Sequence, residues 1–189
     1  MKRLKWFLIC IIVLVVSFVV GILIHNLNMK NKEDRQLEIA SEIINNGTNE
    51  EIEIITNEEL QLNENVIGIL EIPSIDLIAP IQEGTSMNVL NQAVGHFSES
   101  SFWNGNVAFA SHNRSMYAHY FERINELQQG DEIIYKTKLG TRKYIVYENN
   151  VIPETDWTVI ENTKDNIITL ITCVKNKPEI RLCVRGIEL

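Results

Sequence analysis

The pattern of apolar and polar positions divides the chain in two. Residues 6–24, WFLICIIVLVVSFVVGILI, run for 19 positions without a charge. A helix of that length, at about 1.5 Å per residue, is about 28 Å long, close to the roughly 30 Å hydrocarbon core of a bilayer. The pattern therefore predicts a transmembrane helix over residues 6–24, preceded by a short tail, residues 1–5. Lys2, Arg3 and Lys5 lie on its near side, so the tail is expected in the cytoplasm and everything after the span outside the cell. The run exceeds the about 7–15 apolar residues of a cleaved signal peptide, and "GILIHNLN" is a poor cleavage region, so an uncleaved signal-anchor is expected.

Residues 25–65 are polar and acidic and read as a stalk or linker. Within them Leu37, Ala40, Ile43 and Ile44 recur at helical spacing, which predicts a short amphipathic helix near 33–45. The "NNGTNEE" that follows breaks it, and Asn46 there heads a short glycosylation-type sequon of little weight. From residue 66 the texture changes to short β-like runs separated by turn residues. "VIGILEIP" (66–73) and "IDLIAPIQEG" (75–84) read as strands, with Pro73 and Pro80 at strand ends or edges. A brief helix is expected over 86–97 and a buried strand over 104–113, introduced by an Asn-Gly turn. Phe121, Ile124 and Leu127 share one face of a helix that Gly130 would stop. "DEIIYKT" and "RKYIVYENNVI" read as a hairpin around Leu139-Gly140, followed by a loop over 153–166. Two final strands are expected at 167–173 and 180–187. Seven or eight short strands with minor helices indicate an all-β, closed antiparallel barrel.

Charge narrows the function classes. The 17 Lys and Arg against 25 Asp and Glu give a net charge of −8. Residues 1–30 contain Lys2, Arg3, Lys5, Lys30 and no acid, so the remainder holds 13 basic and 25 acidic groups, a net of −12. Nucleic-acid binding needs a concentrated basic face, and the sequence offers none.

Of three cysteines, Cys10 lies in the span, leaving Cys173 and Cys183 outside. A disulfide is the ordinary expectation for two extracellular cysteines. If 167–173 and 180–187 form a hairpin, however, Cys173 faces a residue near Arg181 and lies diagonal to Cys183. That diagonal is about 7–8 Å, beyond the usual separation of about 5.5–6 Å, so no disulfide is expected.

The remaining chemistry sits at strand ends. Cys173 closes the apolar run "IITLITC" on the face of Thr169 and Ile171; it is either a nucleophile at a rigid, open strand tip or a small hydrophobe. His112 closes "NVAFASH" in the same manner, where a plain surface or turn histidine is the alternative. His96 and His119 read as structural. Arg181, in the middle of the last strand, needs a partner for its charge; Glu179 or Glu188 is the ordinary choice, and Arg185 on the same face lies further from Cys173.

The string "TLITC", with Arg181 eight positions after Cys173 and "ASHN" far upstream, closely resembles the sortases, membrane-anchored cysteine transpeptidases of Gram-positive bacteria. The resemblance covers residues 66–189, including "IGILEIPSIDLIAPI", "AVGHF", "NVAFASH" and "QGDEI". It implies an eight-stranded sortase-type β-barrel preceded by the transmembrane helix, with 66–189 as the catalytic domain. It also implies His112 at the end of the fourth strand, Cys173 at the end of the seventh and Arg181 in the eighth. In that family the cysteine attacks the threonine carbonyl of a sorting motif such as LPxTG on a secreted protein and forms a thioacyl intermediate. The histidine moves the protons, the arginine steadies substrate and oxyanion, and an amine of a peptidoglycan precursor, or a pilin lysine, accepts the acyl group. With ordinary values near 8.5 for a thiol and 6.5 for imidazole, thiolate and imidazolium coexist in about one per cent of molecules at about pH 7.5, which implies a bell-shaped rate profile.

Two departures bear on this expectation. Ala110-Ser111-His112 replaces the commoner Ala-Gly-His, a mild change. The "SESSFWNGN" segment offers only Glu99 where some relatives bind calcium, too few oxygen ligands for that ion; no metal and no cofactor are expected. The short loop before the seventh strand, and an end at the eighth strand without a second membrane segment, lean towards the class A or D types, class D ahead. Two alternatives stand beside transpeptidation: a sortase-fold peptidase that releases its acyl group to water, and a catalytically silent, membrane-anchored wall-binding module.

Overall fold

The computed structural model describes residues 2–45 and 66–189. The stretch between them, with the Asn46 sequon, lies outside the described residues. The apolar run and the following polar segment form one continuous helix, α1 (Lys2–Asn45), where the sequence predicted a span and a separate short helix. No proline or glycine interrupts the stretch between Ile22 and Asn45, so nothing in the backbone ends the helix at the membrane boundary.

Eight strands follow and close into a barrel: β1 (Val66–Ile72), β2 (Leu77–Glu83), β3 (Val94–His96), β4 (Asn106–Ala110), β5 (Glu132–Thr137), β6 (Gly140–Pro153), β7 (Ile167–Val174) and β8 (Lys177–Glu188). Their order around the barrel is β1-β2-β3-β4-β7-β8-β6-β5. The expected barrel is present, but it is not purely antiparallel: β2 with β3 and β4 with β7 are parallel pairs. Parallel neighbours need a crossover rather than a tight turn. The β2–β3 crossover holds α2 (Met87–Leu90), capped by the Ser86 hydroxyl, and the β4–β7 crossover contains β5 and β6.

Two helical expectations shrink for identifiable reasons. The helix expected over 86–97 is only α2, because the "AVGH" that follows it becomes β3. Around Phe121 and Ile124 there is one 3-10 turn, Ile124–Glu126, and no α-helix. The amides there are committed elsewhere: Ala118 N donates to Asn91 O and Phe121 N to His112 O. Phe121, Ile124 and Leu127 are nevertheless all buried, so their spacing reported burial and not a helix. The loop over 153–166 carries its own 3-10 turn, Trp157–Ile160, and the last strand begins earlier than expected, at Lys177, after Asn176 takes a left-handed φ of 58°.

Alternation sorts the strand side chains onto two faces. Val107, Phe109, Ile168, Leu170 and Val184 point into the barrel with Leu70, Tyr135 and Tyr144. Part of the outward face of β4, β7 and β8 is covered as well. Ala108, Ile171 and Cys183 pack with Phe97 and Ile160 beneath the Trp157–Ile160 turn, with Ala110, Ile152 and Val159 at the margin. This second, external core supports the strand ends that carry the candidate chemistry.

Candidate active site

Strand register brings the three candidate residues together. In the antiparallel β7–β8 pair, Cys173 lies directly opposite Arg181, as the sequence predicted. In the parallel β4–β7 pair, Ala110 lies opposite Ile171. β4 ends at Ala110, two residues short of His112, and the chain there stays tied to β7 through Ser111, whose amide donates to Ile171 O and whose carbonyl accepts from Thr172. Cys173 and Arg181 share the outward face above the external core, and His112 follows the end of the neighbouring β4. Cys173 is exposed at the strand end; Cys183, opposite Ile171, is buried, and both are free thiols. Burial pushes the Cys183 thiol up to about 12.

The "TLITC" string has a structural explanation in this arrangement. The Thr169 hydroxyl donates to Asn106 Oδ1 at 2.7 Å, and the Thr172 hydroxyl donates to the Ser111 carbonyl at 2.7 Å. Ser111 N in turn donates to Ile171 O at 3.4 Å. Each threonine of the cysteine strand is therefore bonded to the histidine strand, one near its start and one beside His112. The hydrogen bonds are buried and compensate the desolvation of both hydroxyls.

His112 is only half-buried, yet its Nε2 is shielded from solvent and has no hydrogen-bond partner among the described residues. Burial lowers its pKa below the ordinary 6.5, because the imidazolium loses hydration that nothing replaces. A basic nitrogen held without a partner can accept or return a proton once a substrate supplies one.

Arg181 finds a different carboxylate from those the sequence offered. Its Nη2 donates to Glu154 Oε2 at 2.9 Å, and its Nη1 donates to the carbonyls of Pro178 and Ile180 at 2.6 and 2.8 Å. Glu188 pairs instead with Arg142 at 2.8 Å. The guanidinium is thus held over the β7–β8 turn with part of its donor set still uncommitted. Arg185 lies opposite Thr169, further down β8, 3.8 Å from Glu148.

The other histidines are built into the scaffold. His96 is buried on β3, its Nδ1 2.8 Å from Glu83 Oε2 and its Nε2 3.1 Å from Ser101 O. His119 is exposed, 2.9 Å from Tyr117 O. No group of three His, Cys, Asp or Glu side chains suited to a metal occurs among the described residues.

Sequence reasoning missed two contributors. Asn106 accepts from Thr169 and donates through Nδ2 to Val159 O and Glu161 O, at 2.8 and 3.0 Å. It fastens the Trp157–Ile160 turn over the outward face. Glu154 holds Arg181. Neither belongs to a motif, and each meets its partner across a long stretch of chain.

Comparison with known proteins gives a consistent result. A family model described as a sortase domain matches residues 70–188. Sortase A of Listeria monocytogenes is 35% identical over 111 residues, covering 58% of this chain and 50% of that protein. Sortase D of Bacillus subtilis is 32% identical over 110 residues, covering 56% and 53%. The chain thus spans about half the length of the curated relatives it matches. Among solved structures, a Clostridium perfringens sortase D5 transpeptidase superposes with a TM-score of 0.67 at 26% identity, over 84% of this chain and 99% of that one.

Proposed function

Because the chain belongs to the sortase family, we propose that it is a membrane-anchored cysteine transpeptidase that cleaves an LPxTG-like sorting motif and transfers the acyl fragment to a cell-wall amine. The observation that carries this reading is the pairing of Cys173, at an open strand end, with Arg181 on β8, next to the strand β4 that His112 follows.

In this reading residues 66–189 are the catalytic domain. The Cys173 thiolate attacks the carbonyl carbon before the scissile bond, and the electron pair moves to oxygen. Arg181 turns an uncommitted N–H towards that oxyanion, a contribution that is typically worth a factor of about 10²–10³ in rate. Collapse of the tetrahedral intermediate expels the amine, which takes its proton from His112, and leaves a thioester on Cys173. The incoming amine then loses a proton to His112 as it attacks the thioester, so thiol and imidazole end as they began. The external core beneath the site, with Ile160 and Ile171, offers an apolar floor for the motif's side chains.

The acceptor is an amine of a peptidoglycan precursor or a pilin lysine, and the type is class A or D, class D ahead. Residues 6–24 span the membrane with residues 1–5 in the cytoplasm. The candidate span in α1 is apolar and has none of its window buried by the rest of the protein, which supports that placement.

The test is to incubate the full chain in detergent with an LPxTG-type peptide and a glycine or diaminopimelate-type amine, and read the products by mass spectrometry beside Cys173→Ala. An amide-linked product that the variant does not make is the expected result. Hydrolysis alone would assign the chain to the peptidases, and no cleavage across a panel of sorting motifs would leave a silent wall-binding module.

A further inference from the structure

The membrane span and the loop that follows His112 form the two walls of one open cleft of about 1100 Å³. The helix wall extends from Leu14 to Lys30, and Ser115, Met116, Tyr117 and His119 form the other. Both walls carry uncovered apolar side chains: Phe18 is 70% exposed, Met116 80% and Tyr117 46%. A helix wall that lies in the bilayer is covered by lipid, and lipid that fills the cleft touches the opposite wall as well.

The direction of the fold agrees. Ala40, towards the far end of α1, is fully buried with Val66 and Ile69 of β1. The cleft lies at the other end of the barrel, where β4 and β7 finish and where His112 and Cys173 stand. The charge distribution agrees too. Lys30 lines the cleft and is exposed, as is Arg114 beside Ser115, whereas the chain beyond residue 30 carries a net charge of −12. Of the acids near the loop, Glu122 lies 3.5 Å from His119 and Asp76 lies 3.6 Å from Arg123.

We propose that the loop from Arg114 to Tyr117 is a second, non-spanning membrane contact. Met116 and Tyr117 sit at the boundary of headgroups and acyl chains, where an amphipathic tyrosine is favoured. Arg114 meets the phosphates of anionic lipids. The contact holds the His112–Cys173 end of the barrel against the bilayer, so that an acceptor presented at the membrane surface reaches the site. The proposal rests on the reading of residues 6–24 as a membrane anchor.

Photo-crosslinking of the full chain tests it. The photoreactive residue p-benzoylphenylalanine is placed at position 18, 116 or 139, and each protein is reconstituted in phosphatidylglycerol–phosphatidylethanolamine vesicles and irradiated. Leu139 is equally apolar and exposed, but it sits in the β5–β6 turn at the opposite end of the barrel. Lipid adducts are expected at 18 and 116 and not at 139. Arg114→Gln is expected to lower the adduct at 116 about fivefold, the factor for about 1 kcal/mol per basic residue. An unchanged yield would overturn the headgroup contact. An adduct at 18 without one at 116 would overturn the proposal and leave the anchor standing. Equal labelling at 139 would overturn it as well, and no adduct at 18 would remove both the anchor and the proposal.

Discussion

At the scale of single residues, the two thiols outside the span and the buried imidazole nitrogen set measurable behaviour. Cys173 is exposed, whereas Cys183 is buried with its pKa pushed up to about 12, so at neutral pH Cys183 carries almost no thiolate. Brief iodoacetamide treatment of the native chain should alkylate Cys173 and leave Cys183 unmodified until denaturant is added, as read by peptide mapping; early labelling of Cys183 would contradict the external core. For His112, burial lowers the pKa below 6.5, and the sign of the consequence follows from proton counting. The thiolate–imidazolium pair holds as many protons as the neutral thiol–imidazole pair, so both appear as the protonated histidine gives up its proton. The acid limb of kcat/KM is therefore expected below pH 6.5, and the active pair to be scarcer than the about one per cent that ordinary values imply. An acid limb at or above 6.5, or a His112 proton resonance titrating there, would refute this. An apolar run closed by a thiol or an imidazole is open to bland readings, and His112, Cys173 and Arg181 stood out in the sequence through the sortase resemblance. Glu154 did not, since nothing local marks a carboxylate that will meet an arginine on another strand.

At the scale of elements, the site depends on how one loop is fastened. Gly105 takes a φ of 93°, and a side chain there would collide with the Asn162 side chain and approach the Thr163 carbonyl to 2.9 Å. Beside it, Asn106 bonds Thr169, Val159 and Glu161 at once. Replacing Asn106 by Ala leaves the Thr169 hydroxyl and two loop carbonyls without their partner, at about 1–3 kcal/mol for each group that stays buried. Asn106→Ala should raise KM for the sorting peptide more than it lowers kcat, because the Trp157–Ile160 turn loosens while the Cys173–His112 register is still held by Thr172 and Ser111. A fall in kcat alone would show that this turn does not bind substrate. Strands and turns were readable from period-2 alternation and from Asn-Gly and Leu-Gly signals. Strand direction was not, because alternation is identical in parallel and antiparallel pairs. The helix expected around Ile124 failed for a related reason: buried residues at i, i+3 and i+6 satisfy a helical template even when successive turns bury them.

At the scale of the whole molecule, the apolar run and the segment that packs on the barrel belong to one helix. A 44-residue helix is about 66 Å long, so about half of it stands beyond a roughly 30 Å hydrocarbon core. Its outer part packs on β1 and β2, with Ala40 fully buried against Val66 and Ile69. In the closed strand order, β1 lies across the barrel from β7, so this part of α1 does not cover Cys173. With residues 6–24 as the proposed membrane span, this docking would set the height and tilt of the barrel above the membrane. Ala40→Glu would force a carboxylate into that contact, a desolvation cost of several kcal/mol unless the helix lifts away. Lifting away is the cheaper outcome, because the barrel closes without the helix. Amide exchange across residues 37–42 is therefore expected to be slow in the parent chain and at least about tenfold faster in Ala40→Glu, the factor that a loss of about 1.4 kcal/mol produces. Cleavage of a soluble sorting peptide should stay within about twofold, since the helix packs on β1 and β2, across the barrel from Cys173. Fast exchange in the parent chain would mean that the helix is undocked, and the barrel would then be free to turn on its tether.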